Sequence, residues 1–291
     1  MSEAAVTSGK WSNVPVRIGT ALAIAAVVSV CLWFGGWVWV VAICILGARI
    51  AYEFTRMAFP ESSRRQRVNV MAAVVAAVLL YLATTPSSPF FNVLDYSPVF
   101  TMTVIMVLAL SPISTMLFET RESIGWARAS GGAYIILPLI AMISIRNGGI
   151  GFTSEGFQLA TFIILVVVAA DAGAYFSGKS IGGPKFIPRL SPNKTWAGFA
   201  GGLVAGGLLG GVLAELWSDD FFEGVLVGLV LVVAAVAGDF LESGFKRHFG
   251  VKDTGGILPG HGGVLDRVDS HMAAFTVAAV VIALAPGLSP V

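Results

Sequence analysis

Five acidic residues lie within or beside long apolar stretches of the chain. Asp171 belongs to the segment VVVAADAGAYFSGK and Asp239 to VAGDFLESGFKR; the others are Glu242, Asp266 and Asp269. Ionisable groups at membrane depth are costly and commonly serve a function. Asp239 and Glu242 are three residues apart, as are the last two acids, and on a helix this spacing puts each pair on one face.

Carboxylates that cluster where the dielectric constant is low repel one another, so something must neutralise them. Mg²⁺ is suited to this, because it binds one or two carboxylates together with substrate phosphates. We therefore expect a metal site at Asp239 and Asp266. Weaker candidates as ligands are Asp171, Glu242 and Asp269. The alternative is that the acids form buried salt bridges with basic neighbours, namely Lys246, Arg247 and Arg267.

Basic and glycine residues near the last acids could bind phosphate. The basic residues are Lys246, Arg247, Lys252 and Arg267. Lysine and arginine stabilise charge on a transferring phosphoryl group. In the GHGG segment, Gly260, Gly262 and Gly263 let backbone N–H groups approach an anion. His261 is a candidate for contacting phosphate or ribose rather than for proton transfer, because a phosphate monoester is mostly dianionic at pH 7.

A second polar segment, LSPNKTWAG, precedes another apolar run. Its candidate phosphate or ribose ligands are Ser191, Asn193, Lys194 and Thr195. They come just before an expected helix, whose N-terminus favours anions. The alternative is that the basic residues only obey the positive-inside rule. That rule explains their side of the membrane but not their mixing with Asp, Gly and His.

The composition requires a membrane around these residues. The chain has 291 residues, of which 56% are hydrophobic and 12% charged, and its mean hydropathy is +0.84. A soluble domain has about 25% charged residues, so this chain is expected to be an integral membrane protein. That excludes most soluble enzyme folds, disorder and nucleic-acid binding. The net charge of +1 offers no attraction for acidic polymers.

Nine apolar runs have about the length of a membrane-spanning helix. They are Arg17–Phe34, Trp37–Phe59, Asn69–Thr85, Pro98–Phe118, Gly125–Ile145, Phe157–Ser177, Trp196–Trp217, Phe221–Leu241 and His271–Ala285. The fold class is therefore predicted to be an all-α polytopic membrane protein. Trp33 and Phe34 stand where a signal peptide would have small cleavage-site residues, so we expect the first run to be retained.

The basic residues predict the orientation. With nine spans and a cytoplasmic N-terminus, all basic residues fall on the cytoplasmic side except Arg49, within a span, and Arg146, outside. The C-terminus is then outside. We expect residues 1–120 to form a packing or lipid-facing module. Residues 121–291 are expected to form the catalytic region, with cytoplasmic loops at 178–195 and 242–270.

The segment SGFKRHFGVKDTGGILPGHGGVLDRVD resembles the signature of CDP-diacylglycerol synthases, also called phosphatidate cytidylyltransferases. The matching positions are Ser243, Lys246, Arg247, Lys252, Asp253, His261, Gly262, Gly263, Asp266, Arg267 and Asp269. The SPNKTW segment and the AYFSGK segment after Asp171 are also similar to that family, so the resemblance covers the chain from about residue 165 onward. Ala197 departs from it, because the family commonly has Glu there.

The resemblance implies that CTP and phosphatidate give CDP-diacylglycerol and pyrophosphate with Mg²⁺, and a second cation stays open. It implies catalytic roles for Asp239, Lys246, Arg247, Asp266, Arg267 and Asp269. Substrate contacts are expected from Ser191, Asn193, Lys194, Thr195, Ser243, Lys252, Gly260, His261, Gly262 and Gly263. A homodimer is implied by the family alone. We expect a bacterial-type inner or plasma membrane, with the site facing the cytoplasm as the basic residues predict.

Two other classes of protein stay open at this point. A CTP-dependent lipid kinase of the polyprenol or phytol type would transfer a γ-phosphoryl group to a hydroxyl and release CDP. A cation-coupled transporter would place its acids near the membrane midplane. The acids here are expected near one membrane face, beside two polar loops, which weighs against a transporter.

Overall fold

The computed structural model describes residues 14–84, 130–146, 150–188, 190–218, 220–257 and 262–284. Helices dominate this part of the chain. They are α1 (Val14–Phe34), α2 (Gly36–Ala58), α3 (Arg64–Thr84), α4 (Gly131–Ile145), α5 (Glu155–Ser180), α6 (Trp196–Ser218), α7 (Phe221–His248) and α8 (Leu265–Leu284). One antiparallel hairpin, β1 (Lys185–Ile187) and β2 (Ser191–Thr195), connects α5 to α6.

The predicted all-α class is confirmed. Each apolar run that falls on described residues coincides with a helix, whereas the run Pro98–Phe118 lies outside them. Five described helices are long and apolar enough to cross a membrane, namely α2, α5, α6, α7 and α8. The span count of nine and the orientation of the termini stay predictions.

The two polar loops are shorter than the sequence predicted. Helix α7 continues past Leu241 to His248, because Glu242 and Lys246 form an ion pair one turn apart that supports the added turns. Helix α8 begins at Leu265, so Asp266 and Asp269 are helical. The expected loop 242–270 is therefore only the segment between these helices, and most of the loop 178–195 is the last turn of α5 and the hairpin.

Helices α5, α6 and α7 pack closely through small residues. A Cβ atom added to Gly210 of α6 would lie 2.6 Å from the backbone oxygen of Gly224 of α7. Glycines four residues apart on this helix, Gly198, Gly202, Gly206 and Gly210, therefore serve close helix packing, as small residues do in membrane bundles. Large apolar side chains point outward on these helices, among them Val204, Leu208, Leu216 and Phe222.

Helix α2 joins the first helices to the rest of the bundle. The Phe54 ring packs edge-on against Phe245 of α7, with centroids 5.6 Å apart. Trp39 Nε1 donates a 2.8 Å hydrogen bond to the backbone oxygen of Met142 at the end of α4. Residues before 120 therefore contact the region that carries the predicted site.

Candidate active site

Three carboxylates meet where the C-terminal half of α7 faces the first turns of α8. One oxygen from each of Asp239, Glu242 and Asp269 lies within 4.8 Å of the others; we call these residues the acid cluster. Glu242 is 1% exposed and Asp269 7%, whereas the Asp239 side chain is 31% exposed. The cluster is thus buried on one side and open on the other.

Gly238 lets the two helices approach at the acid cluster. A Cβ atom at this position would lie 2.8 Å from the backbone oxygen of Asp269 and 2.5 Å from Ala273 Cβ. Real Cβ atoms do not tolerate such approaches, since protein interiors are close-packed. Because Gly238 precedes Asp239, the small residue brings the acids of α7 and α8 together.

Two lysines balance part of this negative charge. Lys194, at the end of the hairpin, forms an ion pair with Asp239. Lys246 Nζ lies 2.5 Å from Glu242 Oε2 and 3.0 Å from Asp266 Oδ1. The two ammonium groups of these lysines face four carboxylates, those of the acid cluster and Asp266. Two formal negative charges therefore stay unbalanced among these six described residues.

Asp266 is held differently from the acid cluster. Its Oδ2 accepts hydrogen bonds from the backbone N–H groups of Thr254, at 3.1 Å, and Gly263, at 3.0 Å, while its Oδ1 faces Lys246. The residue thus joins two points of the segment between α7 and α8. The pairing with Lys246 matches the salt-bridge alternative raised from the sequence.

The geometry therefore groups Asp239 with Glu242 and Asp269 rather than with Asp266. Oε1 of Glu242 is buried and has no hydrogen-bond partner among the described residues. Burying a carboxylate oxygen without a partner is costly. Hard cations prefer carboxylate oxygens, so the unpartnered atom and the excess negative charge fit a divalent ion held by Asp239, Glu242 and Asp269.

A cavity of about 510 Å³ adjoins the acid cluster. Its polar side chains come from α5 and the hairpin, and the residues that α6 and α7 contribute are apolar. The polar lining residues are Asp171, Tyr175, Lys179, Asn193, Lys194 and Thr195, and the apolar ones include Phe186, Phe199, Val232 and Val236. Lys194 both lines the cavity and pairs with Asp239. The cavity can therefore accept a ligand with a charged and an apolar part, next to the acids.

The hairpin sets the positions of the predicted phosphate ligands. Thr195 is buried, and its Oγ1 accepts a 3.1 Å hydrogen bond from the Gly198 N–H group at the start of α6. The Phe186 ring packs against Trp196, with centroids 4.3 Å apart, and fixes the hairpin on α6. Sequence reasoning missed Phe186, although an aromatic residue near the KTW triplet was a usable signal.

The other predicted residues are spread around this centre. Asp171 lines the cavity. Ser243 Oγ donates a 3.4 Å hydrogen bond to Asp239.

The remaining predicted residues differ in exposure. Arg247, Lys252, Asp253 and Arg267 are exposed, and Ser191 is half-buried in β2. Ala197 is half-buried in the first turn of α6. Gly262 and Gly263 are described, whereas Gly260 and His261 lie outside the described residues.

Sequence reasoning also missed a contact from α2. Glu53 and Arg49, four residues apart on α2, form an ion pair with Nη2 and Oε1 2.7 Å apart. The same carboxylate accepts hydrogen bonds from Thr254, Val264 and Leu265, more than 200 residues away. An acidic residue inside an apolar run was the available signal that Glu53 has a specific partner. No local pattern reveals partners so distant in the sequence.

The chain is similar to proteins of one known family. The sequence profile of the cytidylyltransferase family matches residues 15–285. The chain is 34% identical to the phosphatidate cytidylyltransferases of Brucella suis and Brucella abortus, over 90% of its length and 91% of theirs. It is 47% identical to that of Staphylococcus aureus strain COL over 141 residues, which is 45% of this chain and 54% of the relative.

The apolar helices and the similar proteins define a membrane transferase of phospholipid biosynthesis, in which the acid cluster adjoins a cavity. The chain belongs to the cytidylyltransferase family and is a nucleotidyltransferase. The family resemblance inferred from the segment Ser243–Asp269 is therefore confirmed.

Proposed function

We propose that the protein transfers the cytidylyl group of CTP to phosphatidate. A phosphate oxygen of phosphatidate bonds to the α-phosphorus of CTP, the bond from that phosphorus to the bridging oxygen breaks, and pyrophosphate leaves. The names of the Brucella relatives, which match over nine-tenths of both chains, support this choice of substrates. The observation that carries the proposal is the acid cluster beside a cavity lined by charged and apolar side chains.

The acid cluster is proposed to hold Mg²⁺ through Asp239, Glu242 and Asp269. When bound there, the ion would offset negative charge on nucleotide phosphates. Asp266 was expected as a ligand from the sequence; in the proposal it instead fixes the backbone around the site through Thr254 and Gly263. Asp171 faces the cavity and stays a weaker candidate.

The basic residues are proposed to bind the phosphates of both substrates. Lys194 and Lys246 already contact the acids, so they can shift between carboxylate and phosphate oxygens as substrates enter. Arg247, Lys252 and Arg267 are exposed around the site and add positive charge. Asn193 and Thr195 line the cavity, where they can orient the nucleotide or its ribose.

The apolar side chains of the cavity are proposed to admit the lipid. Phe199, Val232 and Val236 would contact acyl carbons while Lys179 and Lys194 approach the headgroup phosphate. With the predicted orientation, the cavity faces the cytoplasm at the inner leaflet of a bacterial-type inner or plasma membrane. Phosphatidate then reacts without leaving the bilayer. A homodimer stays a proposal from the family alone.

A product assay tests this function. The purified protein in detergent would receive CTP, phosphatidate and Mg²⁺, and pyrophosphate and CDP-lipid would be measured. The expected result is equal amounts of both products. Release of CDP with phosphorylation of a polyprenol would instead establish the lipid kinase, which the relatives do not favour. No product with either acceptor, from folded protein, would contradict the proposal.

A further inference from the structure

Glu53 of α2 reaches into the segment that precedes α8. Its carboxylate is buried, with the residue 1% exposed. Oε1 accepts a 3.1 Å hydrogen bond from the Val264 N–H group, and Oε2 accepts one of 2.8 Å from Leu265. The Thr254 hydroxyl donates to Oε2 at 3.3 Å. One side chain thus binds Thr254, within the segment between α7 and α8, and the end of that segment at α8.

These contacts satisfy N–H groups that local residues leave without an acceptor. The first turn of a helix has backbone N–H groups with no partner in the helix, and a Ser, Thr, Asp or Asn side chain just before it commonly accepts from them. Helix α8 begins at Leu265, and the residues before it are Gly262, Gly263 and Val264, which carry no side-chain acceptor. Glu53 supplies the acceptor from a distant helix.

Asp266 binds the same two stretches of the segment as Glu53. It accepts from the N–H groups of Thr254 and Gly263, whereas Glu53 accepts from the Thr254 hydroxyl and from the next two N–H groups. Asp266 also holds Lys246, which contacts Glu242 of the acid cluster. A shift of the Glu53 contacts would therefore be passed to Asp266, to Lys246 and to the acid cluster.

The surroundings of Glu53 fit a fixed carboxylate. Arg49 lies one turn away, with Nη2 2.7 Å from Oε1, and its positive charge offsets the cost of burying Glu53. A Cβ atom at Gly255 would lie 2.7 Å from Glu53 Oε1, so only glycine leaves room for the carboxylate there.

We infer that Glu53 is a positioning residue for the active site. It holds the segment between α7 and α8 so that Asp266 and Lys246 are aligned with the acid cluster, and it makes α2 part of the catalytic machinery. For its effect on turnover, this inference rests on the proposed function. The backbone contacts themselves can be tested without substrate.

The first test compares Glu53→Gln with Glu61→Gln, the same chemical change at an exposed residue in the turn between α2 and α3. Glu53→Gln keeps the shape but places an amide against an N–H donor. A hydrogen bond to a charged group contributes enough that its loss should lower kcat about 10- to 100-fold. We expect Glu61→Gln to match the unmodified protein. Equal kcat in the two variants would overturn the inference.

A second pair of variants separates positioning from a general loss of stability. Thr254→Val removes the hydroxyl that donates to Glu53, and Thr254→Ser keeps it. We expect the serine variant to retain about tenfold more kcat than the valine variant, as a lost buried hydrogen bond predicts. Combining Thr254→Val with Glu53→Gln should add little to the loss, because both act on one contact. Fully additive losses would overturn the inference. If Glu53→Gln does not yield folded protein, the threonine pair decides.

Hydrogen exchange provides the readout that needs no activity. In Glu53→Gln, we expect amides of residues 262–269 to exchange at least about tenfold faster than in Glu61→Gln, because local opening is easier when their acceptor is lost. Exchange in α6 should be unchanged. Equal exchange in 262–269 would overturn the inference even if CDP-lipid is formed. If Glu53→Gln exchanges faster but the unmodified protein forms no CDP-lipid, the proposed function is contradicted and the positioning role of Glu53 is not.

Discussion

The acid cluster and the Asp266 anchor contain the same chemical group but surround it differently. Glu242 is buried with Oε1 unpartnered among the described residues, whereas Asp266 accepts from two backbone N–H groups and faces Lys246. The two sites lie one helical turn apart on α8, since Asp269 joins the cluster.

The difference shows what each carboxylate can do. An oxygen that already accepts several hydrogen bonds is satisfied and fixes the backbone, whereas an unpartnered buried oxygen is available to bind a cation. We therefore assign ion binding to Asp239, Glu242 and Asp269, and alignment of the site to Asp266 and Glu53. Each prediction below tests this division.

The largest effect is expected for Glu242→Gln, which removes a charge from the acid cluster without changing its size. Loss of a residue that only hydrogen-bonds a metal ligand lowers metal affinity or activity about 10- to 100-fold. Loss of a direct ligand should therefore lower kcat more than about 100-fold. Turnover of CTP to pyrophosphate measures this, with Glu61→Gln as the matched control. Turnover within a few-fold of the control would remove Glu242 from the ion site.

Asp266→Asn should have the next largest effect. An asparagine cannot pair with Lys246 as an anion while accepting from Thr254 and Gly263, so we expect kcat to fall about 10- to 100-fold and the melting temperature to fall as well. Thermal unfolding in detergent measured beside turnover checks both expectations. A full loss of turnover at an unchanged melting temperature would instead favour a direct role at the ion.

Gly238→Ala should lower kcat about tenfold, because an added Cβ must push α8 away from α7, and overpacking of this kind costs about 1–3 kcal/mol. Gly244→Ala, on the same helix, is the control, since an added Cβ atom there meets nothing within 4 Å. The two variants are compared by turnover and by melting temperature. Identical behaviour would show that the close approach at Asp269 does not set the geometry of the cluster.

Lys194→Gln is expected to have the smallest effect. The Lys194 and Asp239 side chains are 32% and 31% exposed, and such partly exposed ion pairs contribute little to stability. We expect the melting temperature to stay constant while KM for CTP rises about 3- to 10-fold through the loss of a phosphate contact. Lys185→Gln, on the exposed face of β1, is the control. An unchanged KM would exclude Lys194 from nucleotide binding.

Much of the fold could be predicted because it follows from local composition. Apolar runs of membrane-spanning length predict helices, and each run on described residues contains one. The ends of α7 and α8 were placed wrongly, because ion pairs and backbone contacts at the site support helical turns in polar sequence. The hairpin was missed, since its strands have three and five residues and no apolar alternation.

The candidate site could be predicted as a set of residues but not as an arrangement. Spacing put Asp239 and Glu242 on one face of α7, and this pairing appears in the acid cluster. Spacing could not show that Asp266 and Asp269 have different partners, because that depends on where Thr254 and Gly263 direct their N–H groups. The role of Glu53 depends on tertiary contacts alone.

Binding of Mn²⁺, measured by electron paramagnetic resonance without substrate, tests the central claim most directly. The unmodified protein, Glu242→Gln and Asp266→Asn would be compared. We predict that Glu242→Gln weakens Mn²⁺ binding more than about 100-fold, whereas Asp266→Asn weakens it only about tenfold, because loss of a direct ligand costs more than loss of an outer partner. Unchanged binding in Glu242→Gln, or its loss only in Asp266→Asn, would contradict the account.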